Sequence, residues 1–114
     1  MTLIGVVESP LYLAQAERLM SEGEREHVID VVAADPTAGV LIKGTNGLRK
    51  MRIPLRGRGK SGSGRVVYWF HSPDYPVVLM LVFAKSAAGD LTADERKRLV
   101  ALSVLLQAQL GVEP

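Results

Sequence analysis

The sequence contains no cysteine, which excludes a disulfide framework and any metal site built on thiolates. Its longest apolar run, residues 77–84, is too short to cross a membrane as a helix. The first residues carry no basic leader and reach Glu8 soon after a short apolar run, a pattern that is not typical of a secretory signal peptide. We therefore expect a soluble, cytoplasmic protein with no membrane partner and no cofactor or metal.

Acidic residues are absent from residues 43–65, although the chain has twelve Asp and Glu in all. The same segment holds eight of the fourteen Lys and Arg: Lys43, Arg49, Lys50, Arg52, Arg56, Arg58, Lys60 and Arg65. The remaining six cations face all twelve carboxylates, so the middle of the chain is formally +8 and the rest −6, for a net charge of +2. Such segregation produces a local positive field and indicates a polyanionic partner such as a nucleic acid.

Apart from this uneven distribution of charge, the amino-acid composition is that of an ordinary globular protein. Hydrophobic residues make up 47% and charged residues 23% of 114 positions, which predicts one folded domain, 1–114, with a modest core.

Capping signals and apolar periodicity predict the element order. Residues 2–7 are typical of a strand, and Ser9-Pro10 begins a helix that ends near residue 20. A capping box at Ser21 and Glu24 begins a second helix, which stops before Asp35-Pro36. Residues 37–47 are predicted to be a loop, and three strands follow at 48–55, 65–71 and 77–84. A second capping box, Thr92 with Glu95, begins a last helix, 93–110, with a leucine stripe at Leu99, Leu102, Leu106 and Leu110.

The resulting order, β-α-α-β-β-β-α, predicts a small α+β domain. We expect a small antiparallel sheet packed by the N-terminal helical hairpin and the C-terminal helix. The strand at 77–84 is apolar on both faces, which indicates a covered, central position.

The stretch GRGKSGSG, residues 57–64, has the glycines and lysine of a phosphate-binding loop. In the G-x-x-x-x-G-K-[ST] pattern, however, Pro54 stands where the first glycine is required, and the stretch leads into a strand instead of a helix. We therefore interpret it as a cationic turn between two strands.

Two aromatic side chains in this region have alternative roles. Trp69 lies on the Arg65 side of its strand by alternation, so it is a candidate for stacking on a base and equally a core residue. His71 shares that side at the strand end, where it could move a proton or cap the turn.

The ordered run GTNGLRKMRIPLRGRGKSGSGRVVYWF, then PVVLMLVFAKS and LTADERKRL, resembles the RelE superfamily of bacterial toxins, and more narrowly the HigB-type branch. The front end, VVESPLYLAQAERLMSEGEREHVIDVVAADPTAG, is similar too, so the resemblance covers nearly the whole chain. It implies a microbial-RNase-like α+β fold and mRNA cleavage on the ribosome. It also implies a cognate antitoxin, often a helix-turn-helix protein, and operator DNA bound by the toxin–antitoxin complex.

The resemblance places the site residues as well. Lys50 and Arg52 match the basic strand of the family's active site, Arg65 matches the arginine that opens the next strand, and Lys85 matches the cation that ends the last one. RelE has a functional tyrosine after that strand, whereas SAAGDLTADE here has no aromatic residue. Neighbouring cations and one aromatic are candidate RNA-binding residues: Arg49, Arg56, Arg58, Lys60 and Trp69.

RNA cleavage through the 2′-OH needs a base, an acid and stabilisation of phosphorane charge. Residues 43–65 contain no His or Glu, so we assign transition-state charge to Arg52 and Arg65, because arginine stays protonated and binds phosphate in a bidentate manner. Proton transfer is left to Lys50 or Lys85, since crowded cations can lower a lysine pKa.

Three functional classes remain open at this point. The chain can be a ribosome-dependent endoribonuclease toxin, a non-catalytic nucleic-acid-binding or regulatory protein of the same fold, or an interaction module whose basic loop meets an acidic partner.

Overall fold

The computed structural model describes residues 4–55, 62–84 and 91–112. Eight elements follow one another in it: β1 (Val6–Glu8), α1 (Pro10–Leu19), α2 (Glu22–Ala34), β2 (Val40–Leu41), β3 (Leu48–Pro54), β4 (Ser63–Trp69), β5 (Val77–Ala84) and α3 (Ala93–Leu110). The α+β class and the predicted order are confirmed. Several boundaries differ from the prediction. The first strand is Val6–Glu8 instead of residues 2–7, and the two-residue strand β2 lies within the expected loop. Strand β4 both begins and ends two residues earlier than expected.

The sheet is mixed, with strand order β1-β5-β4-β3-β2. Strands β2 to β5 are antiparallel to their neighbours, as expected, whereas β1 pairs with β5 in parallel. A parallel neighbour requires a crossover connection, and here α1, α2 and the β2–β4 strands lie between the two partners in sequence.

The helix ends confirm the capping signals. The side chains of Ser21 and Thr92 each accept a hydrogen bond from the backbone N–H three residues on, and the Glu24 and Glu95 carboxylates accept from the backbone N–H of these cap residues. Gly111 ends α3 in the left-handed region, at φ 74°, a conformation that glycine adopts without steric cost.

Helices cover both faces of the sheet. On one face, α1 and α2 pack through Tyr12, Ala16, Met20, Val28 and Val32 onto Val66 and Tyr68 of β4. On the other, Leu99 of α3 packs with Val67 and Trp69. The chain thus forms two apolar layers, one on each side of a shared sheet.

An extra residue in β5 increases the apolar surface beneath α3. Val67 pairs with Leu81 and Tyr68 with Leu79, so Met80 has no opposite residue and forms a bulge. Met80 and Leu81 consequently both belong to the α3-side cluster.

The outer edge of β5 beyond β1 is covered by α1. The Ser9 N–H donates to the Leu79 carbonyl at 3.1 Å, and the Val82 N–H donates to Gln15 Oε1 at 3.0 Å. Side chains and backbone of the α1 region thereby satisfy edge groups that would otherwise remain open to another strand.

Candidate functional site

Strand alternation brings Lys50, Arg52 and Arg65 to one face of the sheet, the face that α3 covers. Arg52 and Arg65 are directly opposite each other in the β3–β4 ladder, and Lys50 is opposite Val67, which packs in the α3-side core. Opposite residues in an antiparallel ladder have Cβ atoms about 4.5–5.5 Å apart, and Lys50 is one diagonal step from Arg65. The three cations expected from the sequence are therefore neighbours.

The Arg52–Arg65 pair is not neutralised within the part of the chain that the structure describes. The one polar contact of Arg65 there is from its guanidinium to the Gly64 carbonyl, at 3.3 Å, and no carboxylate lies within ion-pair distance of either arginine. Like charges directly opposite each other destabilise a sheet. Because Arg52 and Arg65 are nevertheless neighbours, they form a positive surface that is suited to binding an anion.

Close packing beside Arg65 depends on Gly64. A Cβ at Gly64 would come within 2.8 Å of Leu55 Cδ1 and 2.9 Å of the Phe83 carbonyl oxygen. Arg65 itself is opposite Phe83 on the β5 side. The missing side chain at Gly64 therefore allows Leu55, β4 and β5 to pack closely next to Arg65.

The remaining predicted cations of the site lie outside the described residues. These are Arg56, Arg58, Lys60 and Lys85. The described residues that flank them lie at one end of the sheet: the Leu55 N–H donates to the Gly62 carbonyl at 2.9 Å, and Ala84 is opposite Gly64.

Arg49 is separated from the other cations. It is opposite Tyr68, whose ring belongs to the helical-hairpin core, so it lies on the other face of the sheet. Its guanidinium donates to the Gly39 carbonyl at 2.8 Å and to the Thr37 carbonyl at 3.5 Å. In this structure Arg49 holds the α2–β2 connection to the sheet.

Tyr68 supports the same connection. Its hydroxyl accepts from the Gly39 N–H and donates to the Pro36 carbonyl, both at 2.8 Å. Burial raises the pKa of this phenol above its ordinary value.

Of the two roles left open for Trp69, the structure places the side chain in the core. The indole has no exposed surface, and its Nε1 donates to the Asn46 carbonyl at 2.9 Å. His71 stacks against it with centroids 6.1 Å apart and planes 8° from parallel. A ring covered in this way is closed to an RNA base.

His71 is far from the arginine pair. It lies two residues beyond the end of β4 and six positions after Arg65, a span of up to about 20 Å for an extended chain. The imidazole, which also contacts Tyr75 edge-on with centroids 5.5 Å apart, therefore belongs to an aromatic cluster at the opposite end of β4.

One basic residue near the site was missed by the sequence analysis. Arg96 of α3 lines a cavity of about 180 Å³ together with Ile42, Lys50 and Leu91. No local pattern identifies it, because its proximity to Lys50 depends on how α3 crosses the sheet.

The rest of the described structure contains no second cluster of cations like the one around Arg52 and Arg65. A larger cleft of about 510 Å³ lies on the helical-hairpin side, lined by residues such as Ser21, His27 and Ile53 and by no described Lys or Arg. Within the described ranges, no three His, Asp or Glu come together as metal ligands. None of the described helices is long and apolar enough to span a membrane.

Comparison with known proteins identifies the fold. No protein-family model matches the sequence. Among solved structures, the chain is similar to the toxin RelE of E. coli, determined as a mutant in the free state, with a TM-score of 0.57 and 22% sequence identity over 85% of this chain and 98% of that chain. The match shows that this chain has a RelE-like fold.

Proposed function

We propose that this protein is the toxin of a type II toxin–antitoxin system and that it inhibits translation by cleaving mRNA on the ribosome. The observation that supports this function best is the set of three cations on one sheet face, Lys50, Arg52 and Arg65, of which the two arginines have no acidic partner among the described residues. A surface of this kind suits phosphate binding, and the sequence resemblance matches these strands to those that carry the active site in RelE-like toxins.

The chemistry follows from the residue types. The RNA supplies its own nucleophile, the 2′-OH, which attacks the adjacent phosphorus as the 5′-oxygen of the next nucleotide leaves. Arg52 and Arg65 bind the phosphoryl oxygens and stabilise the charge that develops on them. Lys50 or Lys85 transfers the protons, one taken from the 2′-OH and one given to the 5′-oxygen.

A site of this composition depends strongly on how its substrate is positioned. The described part holds neither a carboxylate nor an imidazole beside the arginine pair, so substrate orientation must contribute much of the rate. We infer that the ribosome supplies that orientation and that the protein acts in the cytoplasm. Its partners are mRNA, the ribosome, a cognate antitoxin of the helix-turn-helix type, and operator DNA bound through the toxin–antitoxin complex. The HigB-type assignment within the superfamily rests on the residue resemblance alone.

Inducible expression with and without the neighbouring gene tests the proposal. The wild-type chain should arrest growth and translation, and co-expression of the antitoxin should relieve the arrest. Arg65→Ala and Lys85→Ala should each abolish it, with cleavage slowed roughly a hundredfold or more. Lys97→Ala, which removes an exposed cation of α3, is the matched control and should remain toxic.

A second candidate function is non-catalytic nucleic-acid binding. The absence of any aromatic residue in SAAGDLTADE, where RelE has its functional tyrosine, favours it. Primer extension on mRNA in a reconstituted translation system separates the two functions. Discrete cuts that require ribosomes support the endonuclease, whereas salt-dependent RNA or DNA binding without cuts supports the binding protein. Binding to an acidic protein without RNA affinity would instead identify an interaction module.

A further inference from the structure

The small cavity between β3 and α3 has the features of a second phosphate site. Its walls are Ile42 at the end of the β2 segment, Lys50 of β3, and Leu91 and Arg96 at the start of α3. Two cations therefore face a space of about 180 Å³, and the other described residues that line it, Ile42 and Leu91, are aliphatic.

The position of Arg96 is made possible by a glycine on the neighbouring turn. A Cβ at Gly44 would lie 3.0 Å from an Nη atom of Arg96, and Gly44 has φ +75°. The guanidinium thus lies directly against the backbone of the turn, where any side chain at position 44 would crowd it. Lys43, an exposed cation, immediately precedes this turn residue.

The size and lining of the cavity limit what it can hold. Pockets for drug-sized ligands are about 300–1,000 Å³ and mostly apolar, so this one is too small for a large organic ligand. Two cations with aliphatic walls suit one phosphate and part of the attached sugar, because guanidinium and ammonium groups bind the oxygens while the CH groups of a ribose contact Ile42 and Leu91.

The cavity also lies at a defined distance from the arginine pair. Lys50 and Arg52 are two residues apart on the same face of β3, which separates them by about 7 Å along the strand. That separation is of the order of one nucleotide step in an extended single strand. We propose that the Lys50–Arg96 cavity binds the phosphate next to the cleaved one, so that the RNA backbone runs along β3 with consecutive phosphates at the two cationic positions. This inference rests on the proposed function, since it takes Arg52 and Arg65 as the residues that bind the cleaved phosphate.

The test measures RNA binding without requiring cleavage. A fluorescent 2′-O-methyl hexaribonucleotide, which lacks the attacking hydroxyl, is titrated with protein at NaCl concentrations between about 50 and 200 mM. Arg96→Ala should weaken binding about tenfold, as expected for one charged contact to phosphate, and should make the slope of log K against log[NaCl] shallower by about 0.7, the value for one single-strand phosphate contact. Arg96→Lys should retain most of the affinity.

Lys97→Ala is the matched control, because it removes the same formal charge from the adjacent, exposed position of α3. It should leave the slope unchanged, and melting curves of both variants establish that the fold is retained. Equal slopes for Arg96→Ala and the wild type would overturn the proposal, as would an equal change in Lys97→Ala.

A scan with methylphosphonate linkages identifies the phosphate concerned. Neutralising one particular linkage should weaken wild-type binding about tenfold and should have a clearly smaller effect in Arg96→Ala, where only Lys50 remains to contact that phosphate. Absence of such a linkage, or absence of binding to the oligonucleotide by the wild type, would refute the cavity proposal. The outcome is separate from the proposed function: growth arrest that is relieved by Arg65→Ala would still stand if Arg96→Ala had the wild-type slope.

Discussion

The Arg52–Arg65 pair should reduce the stability of the fold, and its removal should therefore stabilise the protein while inactivating it. Functional sites commonly retain such unfavourable interactions. The change to make is Arg52→Gln, Arg65→Gln and the double variant, because glutamine preserves much of the side-chain length and removes the charge.

The magnitude follows from the ladder geometry. With Cβ atoms about 5 Å apart and the side chains diverging, the two guanidinium groups are about 7 Å apart. Coulomb repulsion at that distance is about 2.4 kcal/mol at an effective dielectric constant of 20 and about 0.6 kcal/mol at 80. Arg52 is exposed and Arg65 half-buried, and salt screens part of the interaction. We therefore expect a repulsion of about 0.5–1 kcal/mol at low salt.

A double-mutant cycle isolates this repulsion from the packing that each arginine stem contributes to its own surroundings. Urea denaturation followed by circular dichroism gives the free energy of unfolding of the four proteins at 50 and at about 500 mM NaCl. The first charge removed should relieve the repulsion and the second should add nothing, which gives an unfavourable coupling of about 0.5–1 kcal/mol, or roughly 2–5 °C in Tm.

High salt should reduce that coupling to less than half, since the Debye length falls well below the separation of the charges. A coupling of zero, or a favourable one, would refute the reasoning, and so would a coupling that is insensitive to salt. In the same set, both single variants should lose growth arrest. A variant that is stabilised and still fully toxic would show that the two arginines are not part of the active site.

Three further outcomes follow from the hydrogen bonds of the two faces. Tyr68→Phe should lower the free energy of unfolding by about 1–3 kcal/mol in urea denaturation, because the Gly39 N–H and the Pro36 carbonyl lose their buried partner. Tyr12→Phe should be neutral or stabilising in the same assay, because the buried Tyr12 hydroxyl has no hydrogen-bond partner among the described residues. Burial raises the pKa of Tyr12 to about 12, so the wild type should lose stability as the pH rises from about 10 to 12, where the unfolded chain releases this proton and the folded chain retains it; Tyr12→Phe should remove much of that loss. Arg49→Ala should destabilise the fold by about 1–2 kcal/mol, because the hydrogen bonds of its guanidinium to backbone carbonyls are lost. In salt titrations of RNA binding, the same variant should have the wild-type slope. A shallower slope would show that Arg49 contacts a phosphate directly.

Much of the fold could be predicted because its signals are local. Ser21 with Glu24 and Thr92 with Glu95 define helix starts through bonds between residues three apart, and the structure confirms both. Alternation along β3 likewise places Lys50 and Arg52 on one face. The same alternation places Arg49 on the opposite face of the sheet, so the sequence alone could have predicted that Arg49 is separate from the other cations.

The parts that could not be predicted depend on register and on contacts between distant segments. That Arg52 is opposite Arg65, and not one residue away, is a matter of strand register, which the connection between the strands and the buried face set together. Strand β4 also begins two residues before its predicted start at Arg65. The parallel pairing of β1 with β5 and the approach of Arg96 to Lys50 both require knowledge of how remote elements pack. Neither leaves a periodic pattern in the chain.

The place of the arginine pair on the sheet explains how the fold tolerates it. Toward the other end of the same face, Val67 and Trp69 are fully buried beneath the α3 side, and two unpaired guanidinium groups there would lose their hydration at a cost of several kcal/mol per ion. At the β3–β4 hairpin end the exposed Arg52 keeps most of its water, so the cost falls to the screened repulsion estimated above. A cationic site on this sheet is therefore confined to its exposed end, where a phosphate backbone can also reach it. The same confinement puts the Lys50–Arg96 cavity between that end and the buried core, so an RNA strand that occupies both positions must run along β3 toward α3.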